Sequence, residues 1–441
     1  MSHYKTYPKY KNSGVEWIGE VPEHWGVKPI KFVVSYNDDS LTESESVNTP
    51  IRYVDISSVN HEEGISKTEE MLFGNAPSRA RRKAKTGDVI ISTVRTYLKA
   101  VAAVDDNHAD CIYSTGFAVL RARPNHIHPS FLKWLALNEL FIQAVESHSE
   151  GLSYPAINAP VLVGLKSTVP SLPEQTDIAI MLDRETARID AIIAKKTRFI
   201  ELLREKRSAL ITHAVTKGIN LNVKMKDSGV EWIDEVPVHW ERRKIAHAFE
   251  CIGSGTTPPS GQDRWYSDGE IPWITTGELR ETVITETSKC VTTKALEEFS
   301  TLRLYPAGSL AMAMYGATIG RLGILGVPAT TNQACCVLSG EVSLSIRFAY
   351  FWLLAFKQQI IDLYAAGGGQ PNINQEVIAF LRVPAPNLVE QATITAFLDR
   401  ETARIDLLTQ KTQHSIDLLK ERRSALITAA VTGQIDLRES A

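Results

Sequence analysis

Apolar residues recur three and four positions apart through two stretches of the chain, residues 171–217 and 387–433. In the first, Leu182, Ile189, Ile193, Ile200, Leu203, Leu210 and Ala214 share one stripe. In the second, the stripe is Leu398, Ile405, Ile416, Leu419, Leu426 and Ala430. Sustained heptad spacing predicts two long, coiled-coil-like helices. The polar members Lys196, Arg207, Thr412 and Arg423 read as register-setting exceptions. Ser171 precedes Glu174 by three with Pro173 in the first turn, and Asn387 and Glu390 repeat the spacing, a capping-box start. Gly218 and Gly433 mark the ends. About 45 residues at 1.5 Å each give a helix of roughly 65 Å if unbroken.

Outside these stretches the period changes. Residues 26–160 and 241–375 are rich in Val, Ile and Thr with Gly and Pro punctuation, which predicts mixed, irregular sheets. Strand candidates in the first block are 51–59, 88–94 and 116–122, followed by one helix over 131–145. In the second they are 271–279, 309–315 and 334–340, followed by a helix over 346–361. The order of elements agrees although the residues do not. The fold class expected is α/β (α+β), with two globular domains at 11–160 and 226–380 and spacer helices at 171–217 and 387–433, packed antiparallel about a pseudo-two-fold.

A long internal repeat accounts for that agreement. KNSGVEWIGEVPEHW at 11–25 returns as KDSGVEWIDEVPVHW at 226–240, and LDRETARID at 182–190 returns unchanged at 398–406. EKRSALITHAVT at 205–216 returns as ERRSALITAAVT at 421–432, and Pro155-Ala156-Ile157-Asn158 is echoed by Pro371-Asn372-Ile373-Asn374. Matched frames with dissimilar interiors suggest two readers on one scaffold. The C-terminus stops where the N-terminal frame begins, which predicts a near-closed ring with segment 13–18 packed near the end of the second helix.

Composition narrows the class. At 441 residues the chain needs at least two domains, and its 44% hydrophobic and 22% charged content is that of a globular protein. The sequence has no apolar run long enough to span a bilayer and no apolar leader, so no membrane association is expected. Five cysteines without CxxC spacing fit a reducing, cytoplasmic setting. A net charge of −3 requires any DNA-binding face to be local.

Two features could form that face. Residues 79–85 carry Arg79, Arg81, Arg82, Lys83 and Lys85, a basic run suited to phosphates and read as a solvated loop. A turn between strands holds Arg95, Thr96, Tyr97 and Lys99 in one copy and Tyr315, Thr318 and Arg321 in the other, side chains able to bond base edges. Lys294, Asn332 and Gln333 are weaker candidates. On the helices, the identity of RETARID between copies implies one shared task for Arg184, Glu185, Arg188 and Asp190 and for Arg400, Glu401, Arg404 and Asp406. That task is either the helix crossing or the docking of equivalent partners.

Catalytic signatures are missing from the sequence. It has no phosphate-cradling GxxxxGK[ST] loop. The Pro258-Pro259 pair sits in a Gly253–Gly261 segment read as a flexible loop and lacks the flanking residues of amino-methylases. His126 and His128 lack further ligands, so no metal is expected. Two other classes stay open: a protein-interaction scaffold, and a nuclease or methylase with an unrecognised site.

The paired SGVEWI-x-E-V-P-x-H-W segments, the P-x-I-N echo and the LDRETARID…RSALI-T-x-AVT helices resemble the specificity subunit of type I restriction-modification enzymes over nearly the whole chain. The resemblance implies two target-recognition domains, each reading one half of an asymmetric, bipartite site in double-stranded DNA. It also implies helices that act as a ruler and dock two adenine methyltransferase subunits, with restriction/translocase subunits completing the complex. S-adenosylmethionine, ATP and Mg would belong to those partners, and none to this chain.

Overall fold

Both apolar stripes fold as predicted, into helices Leu172–Lys217 and Leu388–Val431. The computed structural model describes residues 5–366 and 371–437. The chain divides into two units: unit 1 joins the residues up to Thr197 with those from Gln413 on, and unit 2 is Arg198–Thr412. Each long helix therefore gives one part to each unit.

Within unit 1 the helix segments run antiparallel. Thr168 Oγ1 donates to Val431 O at 2.6 Å, and further along Arg423 Nε lies 2.9 Å from Asp190 Oδ1. Ile178, Leu182 and Ile189 share a core there with Leu426, Ile427 and Ala430. Unit 2 repeats the geometry, with Arg207 gripping Asp406 through both guanidinium edges at 2.9 and 3.3 Å and Ile211, Ala214 and Val215 sharing a core with Ile394 and Leu398. Arg207 and Arg423, expected as polar exceptions, thus sit opposite equivalent aspartates.

The sheets repeat as well. In unit 1 the main sheet has the order 101–103, 89–92, 117–122, 34–36, all antiparallel. Unit 2 keeps the order as 322–325, 310–313, 335–341, 249–254 and adds an edge strand at 283–284. A second sheet in each unit contains a parallel pair, 50–54 with 112–114 and 271–274 with 330–331. Strand Ala80–Lys83 extends that sheet in unit 1, where unit 2 has an isolated antiparallel bridge between Tyr305 and Ala329.

Several expectations need correction, among them strand 271–279, which stops at Ile274 where a Thr275–Glu278 capping box starts a 3-10 turn. The helix expected over 131–145 is two, Pro129–Ala136 and Glu139–Ser147, because buried Asn138 ends the first turn sequence and caps the second by accepting from Leu140 N. Strand 51–59 stops at Val54, where the Asp55 carboxylate accepts from Ser57 N and starts a 3-10 turn. Of the segment 253–261, expected as a flexible loop, Gly253 and Ser254 close strand Phe249–Ser254 and the residues after them form no strand or helix. Gly255 then packs so closely that a Cβ would meet Thr331 O at 1.7 Å.

Both helix ends use glycine in the left-handed region, Gly218 at φ +73° and Gly433 at φ +76°. Gly433 also lies against the N-terminal frame, where a Cβ would fall 2.3 Å from Pro22 Cδ. Gln434 Nε2 donates to Glu20 O at 2.8 Å and Lys5 bridges Asp436, so the frame does meet the end of the second helix. The contact is made by residues 20–25 and by Lys5 rather than by 13–18.

Candidate nucleic-acid interface and helix faces

The repeated frame is a clasp on the first turn of each long helix. In unit 1, Glu174 accepts from Ser171 Oγ at 2.9 Å and Trp25 Nε1 at 3.4 Å, with His24 Nε2 at 2.9 Å. In unit 2, Glu390 accepts from Trp240 Nε1 at 3.2 Å, with His239 Nε2 at 2.8 Å. The next residue ties the helix to the sheet block. Gln175 accepts from His128 N and donates to Pro170 O, and Gln391 accepts from Ser345 N and donates to Pro386 O. The identical P-x-H-W and Glu-Gln residues are thereby explained as fastenings.

The RETARID block divides between two tasks. Leu182, Thr186 and Ile189, like Leu398, Thr402 and Ile405, are buried. Asp183 accepts from Lys133 Nζ at 2.7 Å and Trp134 Nε1 at 3.2 Å, while Asp399 accepts from Arg347 Nε at 2.9 Å. Asp190 and Asp406 make the cross-helix pairs. Arg184 and Arg400 are exposed and, among the described residues, reach only the neighbouring Glu185 and Glu401 carboxylates. Arg188 and Arg404 are exposed and make no ion pair or side-chain hydrogen bond among the described residues.

The basic run 79–85 is not the solvated loop expected. Ala80–Lys83 is a strand, and most of its cations are engaged within the fold. Arg79 donates to Asp55 Oδ2 at 2.8 Å and to Tyr53 Oη, Arg81 stacks 4.7 Å from the Phe73 ring centre, and Lys85 lies 3.9 Å from Asp39. Arg82 is half-buried, with burial pushing its pKa down, and Lys83 is exposed and makes no ion pair or side-chain hydrogen bond among the described residues.

The inter-strand turn is built differently in its parts. After strand Val89–Ser92, Val94 bridges Ala156 and Ile157 N donates to Thr93 O at 2.8 Å, while Glu150 bridges the same Ala156. Two loops, 95–99 and 151–155, therefore leave one backbone clasp. Thr96 is buried with its hydroxyl on Ser149 Oγ at 2.9 Å, which corrects its reading as a base contact. Lys99 Nζ is held by Glu139 Oε1 at 2.5 Å, an interaction that raises the pKa of Lys99 and leaves its ammonium engaged. Arg95 and Tyr97 remain exposed, and the Arg95 guanidinium lies 5.1 Å from the Tyr154 ring centre. Tyr97 is 53% and Tyr154 65% exposed, and Leu152 is fully so.

Unit 2 carries the same clasp. Tyr315 bridges Asn372, Ala366 bridges Asn372, and Ile373 N donates to Met314 O at 2.7 Å. Thr318 is half-buried there and Arg321 exposed. Gln333 accepts from Thr257 Oγ1 at 2.6 Å beside half-buried Asn332, and Lys294 sits exposed on helix Thr293–Glu298. Sequence reading missed Leu152 and Tyr154. The signal was the P-x-I-N echo, whose fixed frame marks the variable loop just ahead of it.

Two units therefore repeat one strand order and one helix frame while their turns differ in sequence. Residues 237–416 match the type I restriction modification DNA specificity domain. A putative type I restriction enzyme specificity subunit, MjaX, of Methanocaldococcus jannaschii is 22% identical over 96% of both chains. The HsdS subunit from Thermoanaerobacter tengcongensis shares the fold with a TM-score of 0.56 at 21% identity, over 94% of this chain and 98% of that one. A chain from a type I R-M system studied for complex assembly and conformational transition does so at 0.77 and 20%, over 93% and 98%. The chain is thus similar over most of its length to specificity subunits of type I restriction enzymes, and part of it matches the DNA specificity domain. No helix among the described residues is long and apolar enough to cross a membrane.

Proposed function

We propose that this subunit reads an asymmetric, two-part site in double-stranded DNA, with residues 26–160 addressing one half and 241–375 the other. The observation that carries the reading is the pair of equivalent backbone bridges, Val94 with Ala156 and Tyr315 with Asn372, which frame segments of unlike sequence. Lys83, Lys294, Arg321 and Gln333 are the further candidates for DNA contact, the cations serving phosphates. The exposed Arg184 and Arg188 and their equivalents Arg400 and Arg404 recur identically, which suits two copies of one methyltransferase subunit. Restriction/translocase subunits would complete the complex. S-adenosylmethionine, ATP and Mg would be held by those partners, and this chain would contribute recognition without chemistry of its own, in the cytoplasm.

The test is adenine methylation of a random-sequence duplex library by the chain alone, then with its methyltransferase subunits. Methylation at one split motif in the mixture alone supports the reading, and replacing residues 26–160 should then change one half of that motif. Modification by the chain alone, or no sequence preference in either condition, overturns it.

A further inference from the structure

The two turns that follow the equivalent strands 89–92 and 310–313 place left-handed residues at the same two positions but with opposite residue choices. Gly316 and Gly320 in unit 2 have φ +78° and +76°, the left-handed region that glycine enters freely. The matching residues in unit 1 are Arg95 and Lys99, at φ +51° and +49°. A non-glycine residue in that region costs free energy and persists where its side chain is needed. Lys99 has an intramolecular use, its ion pair with Glu139. Arg95 has none of that kind. It makes no ion pair or side-chain hydrogen bond among the described residues and instead lies over the ring of Tyr154, on the second loop of the clasp.

We propose that Arg95, oriented by Tyr154, is a base-reading residue of unit 1 that sets one position of its half-site. The proposal rests on the reading of the chain as a DNA-specificity subunit and narrows it to named side chains. Stacking on Tyr154 fixes the guanidinium plane before contact, which lowers the ordering cost of presenting its five donors to a base edge. A guanidinium so presented matches the O6 and N7 acceptors of guanine, and exposed Leu152 offers an apolar surface to a neighbouring thymine methyl. The basic run 79–85 is a weaker reader, because Arg79, Arg81 and Lys85 are already engaged.

The test uses Arg95→Gly, the residue type unit 2 has at this position. Because glycine relieves the backbone strain, the variant is expected to unfold at the same denaturant concentration as the wild type or a higher one. The full chain, assembled with its methyltransferase subunits, is assayed for adenine methylation on a random-sequence duplex library. Discrimination should fall of order 10- to 100-fold at one base pair of one half-site, with the other half unchanged. Arg95→Lys should lose the same discrimination despite keeping its charge. An unchanged motif with Arg95→Gly, or a uniform loss of rate with the motif intact, overturns the proposal, the second outcome marking a phosphate contact. A wild-type complex with no split motif would instead refute the broader reading.

Discussion

Glu174→Ala and Glu390→Ala compare the same fastening in two degrees of burial. Glu174 is 8% exposed and holds Ser171 and Trp25 with His24 alongside, whereas Glu390 is 33% exposed beside His239 and Trp240. Hydrogen bonds to a charged group contribute about 1.5–3 kcal/mol each, and a buried donor stripped of its acceptor costs about 1–3 kcal/mol. These effects overlap, so Glu174→Ala should destabilise unit 1 by about 3–4 kcal/mol. Water can replace part of the half-exposed Glu390, and Glu390→Ala should cost unit 2 about 1–2 kcal/mol. Burial pushes the Glu174 carboxyl up, but hydrogen bonds from His24, Ser171 and Trp25 outweigh it, and its pKa lies below the ordinary value. Its stabilisation is therefore fully present above the unfolded value of about 4.3 and is lost as pH falls through the folded one. Native-state hydrogen exchange over residues 172–182 and 388–398 reads each unit separately. Equal costs, or a larger cost for Glu390→Ala, would refute the reasoning, as would a wild-type-to-Glu174→Ala difference that does not shrink on acidification.

Arg121 grips buried Asp88 through Nε at 3.0 Å and Nη2 at 2.7 Å and reaches Asp39 at 2.8 Å, so Arg121→Ala strands a buried carboxylate and should cost about 3–5 kcal/mol in urea denaturation. Arg121→Lys should recover less than half of that, lacking the fork. Burial pushes the Cys335 and Cys336 thiols up to about 12 and Cys111 to about 11. At pH 8 an alkylating agent should therefore modify the half-buried Cys290 and Cys251 in the folded protein and all five cysteines after unfolding; labelling of native Cys335 would contradict this.

The frame was legible in the sequence because it is local and stated twice. Heptad spacing, a capping residue and a terminal glycine set each long helix, and the duplicated motifs announced the two units. The block interiors were less legible because their signals depend on partners distant in the chain. The apolar run 131–145 hides its break, since Asn138 counts as a cap only when Leu140 N and Thr428 Oγ1 are seen to donate to it. The charges of 79–85 look free until Asp55, Phe73 and Asp39 arrive from other segments. Thr96 reads as a donor for DNA until Ser149, fifty-three residues on, takes its hydroxyl. Which of several polar turn residues stays available is decided by tertiary pairing, and the sequence pattern does not carry it.

The division of each long helix between the units has a consequence for the order of synthesis. Every residue of unit 2 lies between Arg198 and Thr412, so all of them are made before Gln413 is added. Unit 1 begins first but cannot close until Leu426, Ile427 and Ala430 emerge to cover Ile178, Leu182 and Ile189. Domains tend to fold as they leave the ribosome, earlier ones first. Here the earlier unit waits for the later one, so translation that stops before Gln413 leaves the first block with its core uncovered while unit 2 has all its residues.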